Sequence, residues 1–147
     1  MSGRLTARRL ILNQQQEAAP PSIMDLRKAI LVLDDDRSVL GAVERLLKVR
    51  GFNVETFSTV DSFIERANLR EAACLVLDIN LNGVCGIELK RKLTDIGISP
   101  PVIFITGRDE DVTRRAALSA GCVAYLSKPF SSRDLVDAIE AASQRAQ

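Results

Sequence analysis

The chain has no histidine and no tryptophan, and a single tyrosine, in 147 residues. Without histidine there is no Ser-His-Asp triad, no imidazole-ligated metal and no phosphohistidine carrier. Cysteine is scarce as well. Cys74, Cys85 and Cys122 are odd in number, and their spacing fits neither a zinc site nor a disulfide framework. That suits a reducing cytoplasm. No apolar run approaches the roughly 18 residues of a membrane span. Nor is there an excess of one charge: 20 Lys and Arg against 19 Asp and Glu leave +1. That gives no bulk electrostatic case for direct contact with nucleic acid or an acidic surface. What remains for chemistry is carboxylate, lysine, hydroxyl and backbone.

The length suits one domain with a sizeable core. The first 23 residues differ from the rest. Arg4, Arg8 and Arg9 surround a short apolar stretch, Leu10 to Leu12, and a polar, proline-containing run follows from Asn13 to Pro21. The stretch is shorter than a secretory h-region, roughly 7–15 residues. Residues 1–26 are expected to be a disordered extension that adds little to the fold, and residues 27–147 the folded domain. Met24, just before the first strand, is a candidate alternative start.

From there apolar runs alternate with helical patterns five times. Ala29 to Leu33 is short and continuously apolar, as in a strand buried on both faces. A helix is predicted from Arg37 to Arg50, with Val39, Val43, Leu46, Leu47 and the Arg50 stem on one face and Gly51 as its stop. Phe52 to Phe57 alternates like a strand, and Ser58 to Asp61 resembles a capping box. The third strand is expected at Ala73 to Leu77, then a glycine-bearing loop, Asn80 to Gly86, and a helix around Ile87 to Thr94. The fourth strand follows at Val102 to Ile105. Asp109 is placed as the cap of a helix ending at Ala120. Val123 to Leu126 reads as the fifth strand. Ser131 and Asp134 suit another capping box, with Leu135, Val136, Ile139 and Ala142 facing inward. This repetition implies an α/β fold: a five-stranded parallel sheet with helices on both faces.

In such folds ligands sit beyond the carboxyl ends of the strands. Four of the five strands end in a reactive side chain: Asp34-Asp35-Asp36, then Asp78, then Thr106, then Ser127-Lys128-Pro129-Phe130. Singly, each has an ordinary explanation as a turn, a cap or a solvated charge. Jointly they do not, because those explanations do not put reactive groups at one end of the sheet. Converging carboxylates repel one another, and a hard divalent cation relieves that. Mg²⁺ takes oxygen ligands and often bridges carboxylate to phosphate. Lys128 adds a positive charge for phosphate oxygens and Thr106 a hydroxyl. The set suits in-line phosphoryl transfer to a carboxylate.

Four stretches, ILVLDDDRSVL, CLVLDINLNGVCGIEL, VIFITG and AYLSKPF, match in order and spacing the receiver domain of bacterial two-component response regulators. The resemblance covers about Ala29 to Arg145. It implies a flavodoxin-like (βα)5 topology with strand order 2-1-3-4-5. It implies Asp78 as phosphoacceptor, assisted by Thr106 and Lys128. It implies Mg²⁺ held by Asp34, Asp35, Asp78 and the backbone carbonyl of Asn80, with Asp35 the more direct ligand of the acidic pair. Lys128-Pro129 resembles the family's cis peptide, and Thr106 and Tyr125 its switch residues. Two positions depart from the pattern. Asn82 replaces the usual proline, which implies a looser loop after Asp78, and Cys85 stands where aspartate is common. Arg108, two residues past Thr106, would border the path of attacking water.

The implied role is a signalling carrier. It takes a phosphoryl group from a histidine kinase or histidine phosphotransfer protein and then alters its grip on a downstream protein. It is not a conventional enzyme, and catalyses only its own phosphorylation and slow dephosphorylation. No effector domain is expected after Gln147, and output is expected through residues about 109–145. Two alternatives use related residues. A haloacid-dehalogenase-like phosphohydrolase also combines an aspartate nucleophile, Mg²⁺, Thr and Lys, but carries its nucleophile on the first strand. A receiver-like binding module without phosphorylation would have no need of the full residue set.

Overall fold

The structure, a computed structural model, describes residues 28–145. The proposed extension and the Met24 start lie outside the described residues. Five parallel strands form one sheet: β1 (Ala29–Leu33), β2 (Asn53–Phe57), β3 (Cys74–Asp78), β4 (Val102–Thr106) and β5 (Ala124–Ser127). Their order is β2-β1-β3-β4-β5. Among the described residues five α-helices connect and follow them: α1 (Arg37–Val49), α2 (Val60–Arg66), α3 (Gly86–Asp95), α4 (Asp111–Ser119) and α5 (Ser132–Arg145). Among the described residues no helix is long and apolar enough to cross a membrane.

The continuous apolar strands follow from burial on both faces. Leu31, Leu33, Leu75, Leu77 and Phe104 point to one side, against Phe63, Leu69, Leu89, Leu93 and Ala117. Their strand neighbours Ile30, Val32, Val76, Ile103 and Ile105 point to the other, against Leu40, Val43, Leu47, Leu135 and Ile139. The sheet is therefore clamped, and its strand ends are held by a packed core. β5 differs: all four of its residues are only half-buried, as an edge strand allows.

Several local expectations shift. In α1 the buried stripe is Leu40, Val43 and Leu47. Val39 and Leu46 are only partly buried beside it, and Arg50 is exposed. Gly51, at φ 90°, ends the helix, a left-handed conformation that glycine adopts without a Cβ clash. At α2 the cap is Thr59, which accepts from the Ser62 amide at 3.1 Å, one residue later than the Ser58 box. Ser131 does cap α5, accepting from the Asp134 amide at 3.0 Å. Glu110, not Asp109, is the N-cap residue of α4, and it makes no side-chain cap bond.

The loop after Asp78, expected as an open glycine-bearing loop, is a short hairpin. Asn80–Leu81 and Val84–Cys85 pair as a two-stranded antiparallel hairpin. Its two-residue turn is Asn82 at φ 51° and Gly83 at φ 89°, the positive pair that an Asn-Gly hairpin turn needs.

At the opposite end of the sheet a cleft of about 510 Å³ is lined by Lys28, Arg70 and Lys90 among others. Arg70 donates to the carbonyls of Gly97 and Ile96 at 3.1 and 3.4 Å. Its charge therefore serves the carbonyl-rich end of α3.

Candidate functional site

β3 and β4 each run one residue further than the apolar pattern suggests. Asp78 and Thr106 are thereby the last paired residues of their strands, Asp78 opposite Ile105 and Thr106 opposite Ser127. The sheet ladder fixes both backbones. Asp34 follows β1, the neighbour of β3, so it and Asp78 meet where the strand order reverses. That is where ligands bind in open α/β sheets.

Carboxylate oxygens of Asp34, Asp35 and Asp78 lie within 4.8 Å of one another. Asp34 and Asp78 are 0% and 3% exposed, whereas Asp35 faces solvent. Lys128 Nζ reaches between the buried pair, 2.8 Å from Asp34 Oδ2 and 3.4 Å from Asp78 Oδ2. The other oxygens are held by backbone: Asp34 Oδ1 accepts from the Asp36 amide at 2.8 Å, and Asp78 Oδ1 from the Asn80 amide at 3.2 Å. The third acid of the run, Asp36, is a helix cap. Its Oδ1 accepts from the Ser38 amide and hydroxyl at 3.0 and 2.7 Å. Those bonds hold its carboxyl below the usual carboxylate range.

The charges are under tension. Burial first, and then the Asp34 charge, push Asp78 up to about 6 against the pull of Lys128 and the Asn80 amide. Burial works against the Lys128 ammonium, but Asp34 and Asp78 outweigh it and raise Lys128 above its ordinary value. Asp34 Oδ2 is fully buried, and the Lys128 ammonium at 2.8 Å is its one polar neighbour among the described contacts. Two buried carboxylates and one exposed one, sharing a single ammonium, make an oxygen-rich site with net negative charge. Its all-oxygen donor set, three carboxylates within 4.8 Å against one ammonium, fits a hard divalent cation such as Mg²⁺.

Thr106 is completely buried. Its hydroxyl donates to the Arg108 carbonyl at 3.1 Å and accepts from the Arg108 amide at 3.0 Å. It therefore faces its own loop. The Arg108 side chain is exposed. The Lys128–Pro129 peptide is cis, and the Lys128 amide donates to the Thr106 carbonyl at 2.7 Å, which aligns the lysine with β4. Tyr125 is half-buried, with its hydroxyl on Asp109. Asn80 opens the hairpin.

Sequence reasoning named Gly86, Asp109 and Ser127 but missed what they touch: Gly86 the Asp78 backbone, Asp109 the Tyr125 and Ser127 hydroxyls. Gly86 is buried, and a Cβ there would stand 2.3 Å from the Asp78 carbonyl oxygen. Nothing in the local pattern marks it, because the contact exists only once the hairpin has folded.

The family model described as response regulator receiver domain matches residues 30–140. The chain belongs to the response-regulator receiver-domain family. The response regulator protein TodT of Pseudomonas putida is 36% identical over 118 residues, 80% of this chain and 52% of TodT. The receiver domain thus spans about half the length of the curated relatives it matches. Among solved structures, response regulator StyR is 39% identical with a TM-score of 0.72, over 81% of this chain and 60% of StyR. A response regulator receiver protein from Burkholderia phymatum is 36% identical with a TM-score of 0.69, over 79% of this chain and 94% of that one.

For a receiver domain with this acid cluster, adding Mg²⁺ is expected to raise stability by mass action. The gain is about 2.7 kcal/mol at a hundredfold excess over Kd. Asp35→Asn should remove most of that response, because Asp35 is the exposed arm of the cluster. Thermal unfolding with and without Mg²⁺ measures it, and an unaltered response in the variant would move the ligand role elsewhere.

Proposed function

We propose that this receiver domain takes up a phosphoryl group on Asp78, from a histidine kinase or histidine phosphotransfer protein, and then changes its fit to a downstream protein. The observation that carries this is the cluster of Asp34, Asp35 and Asp78 with Lys128 between the buried pair. These 147 residues hold no histidine, so the phosphoryl donor lies outside them.

Asp34, Asp35, Asp78 and the Asn80 carbonyl would hold Mg²⁺. When bound, the ion neutralises carboxylate and phosphoryl charge. The rest falls to side chains and backbone. An Asp78 oxygen attacks phosphorus in line as the donor's nitrogen–phosphorus bond breaks. The Asn80 amide holds Asp78 Oδ1, which leaves Oδ2, beside Lys128, to react. Lys128 then neutralises a phosphoryl oxygen. Thr106 must leave the Arg108 carbonyl to donate to another phosphoryl oxygen, and its inward turn makes room for Tyr125 beside β4. The place of action is the cytoplasm, without membrane insertion or direct contact with nucleic acid.

The test is incubation with acetyl phosphate and Mg²⁺, followed by intact mass and mapping of the modified residue. A single base-labile adduct on Asp78 is expected. Steady turnover of a generic phosphomonoester instead would favour a hydrolase, and no adduct would favour a binding module.

Thr106→Ala should leave Mg²⁺ binding largely intact while restricting the response to phosphorylation. In amide NMR with beryllofluoride, which mimics a phosphoryl group, wild-type shifts should spread from Asp78 to α4, β5 and α5. In the variant they should stay near Asp34, Asp78 and Lys128. An equal spread in both would remove Thr106 from the path.

A further inference from the structure

The residues around Asp109 predict a helix cap, but its carboxylate reaches across to β5. Oδ1 accepts the Tyr125 hydroxyl at 3.1 Å. Oδ2 accepts the Ser127 hydroxyl at 2.8 Å and Arg114 Nη2 at 2.7 Å. The Arg114 guanidinium carbon also stands 4.9 Å from the centre of the Tyr125 ring, within cation–π range. One carboxylate thus ties together the loop after β4, the first turns of α4 and the edge strand β5. The titration behaviour agrees with this. The Ser127 hydrogen bond, backed by Tyr125 and Arg114, holds the Asp109 carboxyl below its usual range despite some desolvation. Burial and then Asp109 raise the Tyr125 hydroxyl, with Glu110 adding to this and Arg114 opposing it.

Little else holds the start of α4. Its N-cap residue Glu110 makes no side-chain bond, and Ala117 is its one buried residue. Val112 and Leu118 are 70% and 58% exposed. An element with few apolar anchors shifts easily, so polar ties carry unusual weight here. The same loop also occupies Thr106, whose hydroxyl is bonded to both backbone groups of Arg108.

We propose that Asp109 is a positioning residue. By bridging Tyr125, Ser127 and Arg114 it latches the β4–α4 loop in its resting arrangement, and through that loop keeps the Thr106 hydroxyl on Arg108. The latch rests on the receiver function proposed for this site and adds to it a restraint made by residues that do not touch the phosphoryl group. Thr106 cannot turn toward Asp78 without giving up the Arg108 carbonyl. That moves the loop and strains the Asp109 contacts. Removing Asp109 therefore favours the activated arrangement before any phosphorylation, since the two states share one equilibrium.

Tyr125 is the single tyrosine of the chain, so fluorotyrosine labelling of the full chain gives one fluorine resonance. Wild type is measured with Mg²⁺, with and without beryllofluoride, to fix the resting and activated positions. Asp109→Ala without beryllofluoride should move the resonance toward the activated position, consistent with a roughly fivefold larger activated population, the scale of one lost exposed hydrogen-bond cluster. Ser127→Ala, which removes one arm of the latch, should move it less in the same direction. Spectrophotometric titration should also find a lower Tyr125 pKa in Asp109→Ala. If both variants rest at the wild-type position while wild type still answers beryllofluoride, the latch is wrong and the receiver reading stands. If wild type itself ignores beryllofluoride, the receiver reading falls and the latch falls with it.

Discussion

Asp78→Asn is expected to abolish phosphoryl uptake and, in the same protein, to raise stability at neutral pH in the absence of metal. The first effect follows because an amide offers no nucleophilic oxygen anion. The second follows from the electrostatics. Folding buries Asp78 beside Asp34 and raises its pKa from 3.8 to about 6. Between those values the folded protein keeps a proton that the unfolded chain has released. Stability therefore falls as pH rises from about 4 to about 6, and the loss persists above that window. A shift of this size corresponds to about 3 kcal/mol at pH 7. Asparagine cannot ionise, so the fall should vanish. Part of the gain is offset because Lys128 loses one partner, although it keeps Asp34 at 2.8 Å. A net stabilisation of about 2 kcal/mol is expected. Urea unfolding in EDTA from pH 4 to 7.5 measures it. The same pH slope in wild type and variant would show that Asp78 does not carry the strain. Mg²⁺ should reverse the ranking, since it stabilises the wild-type cluster more than the variant.

A site that is destabilised without its ligands was partly legible in the sequence. Burial on both faces turns strands into continuous apolar runs, so AILVL, CLVL and VIFI marked the sheet. The sheet in turn brought Asp34, Asp78, Thr106 and Lys128 to one end. What lay hidden were contacts between elements. Asp109 sits where a cap would, and its real partners, Tyr125 and Ser127, come from the next strand once β5 pairs with β4. A local pattern cannot distinguish a cap from a cross-strand acceptor, because both need a short carboxylate after a strand. The hairpin was obscured in another way. The Asn82-Gly83 pair is a strong turn signal, but two-residue strands on either side are too short for any alternation to show. The departure from the family's proline then suggested slack where the backbone supplies a tight turn.

Gly86→Ala should be the most damaging small substitution near the site. The position is not glycine because of its φ, which lies outside the positive range. It is glycine because of space. A Cβ would stand 2.3 Å from the Asp78 carbonyl oxygen, 3.1 Å from its carbonyl carbon and 3.2 Å from the Ile79 Cα. All three are backbone atoms, so no side chain can swing away. The Gly86 amide also donates to the Ile79 carbonyl at 2.8 Å, which pins the first residue of α3 against the end of β3. Relief requires either the helix or the phosphoacceptor strand to move. The cost is about 3 kcal/mol, the upper range for overpacking at a site that cannot relax. If the strand gives way, Asp78 leaves its register with Lys128 and Asn80. Labelling by acetyl phosphate should then fall by more than tenfold, a change of about 1.4 kcal/mol in the barrier. Gly83→Ala is the internal control. Gly83 has φ 89°, and a methyl group there would meet nothing within 4 Å. Its substitution therefore strains the turn by about 1–2 kcal/mol without touching Asp78. Thermal unfolding and labelling rates of the two variants should separate. Gly83→Ala should lose stability with labelling nearly intact, and Gly86→Ala should lose both. Equal labelling loss in the two would mean that the hairpin as a whole, rather than the Gly86 contact, sets the position of Asp78.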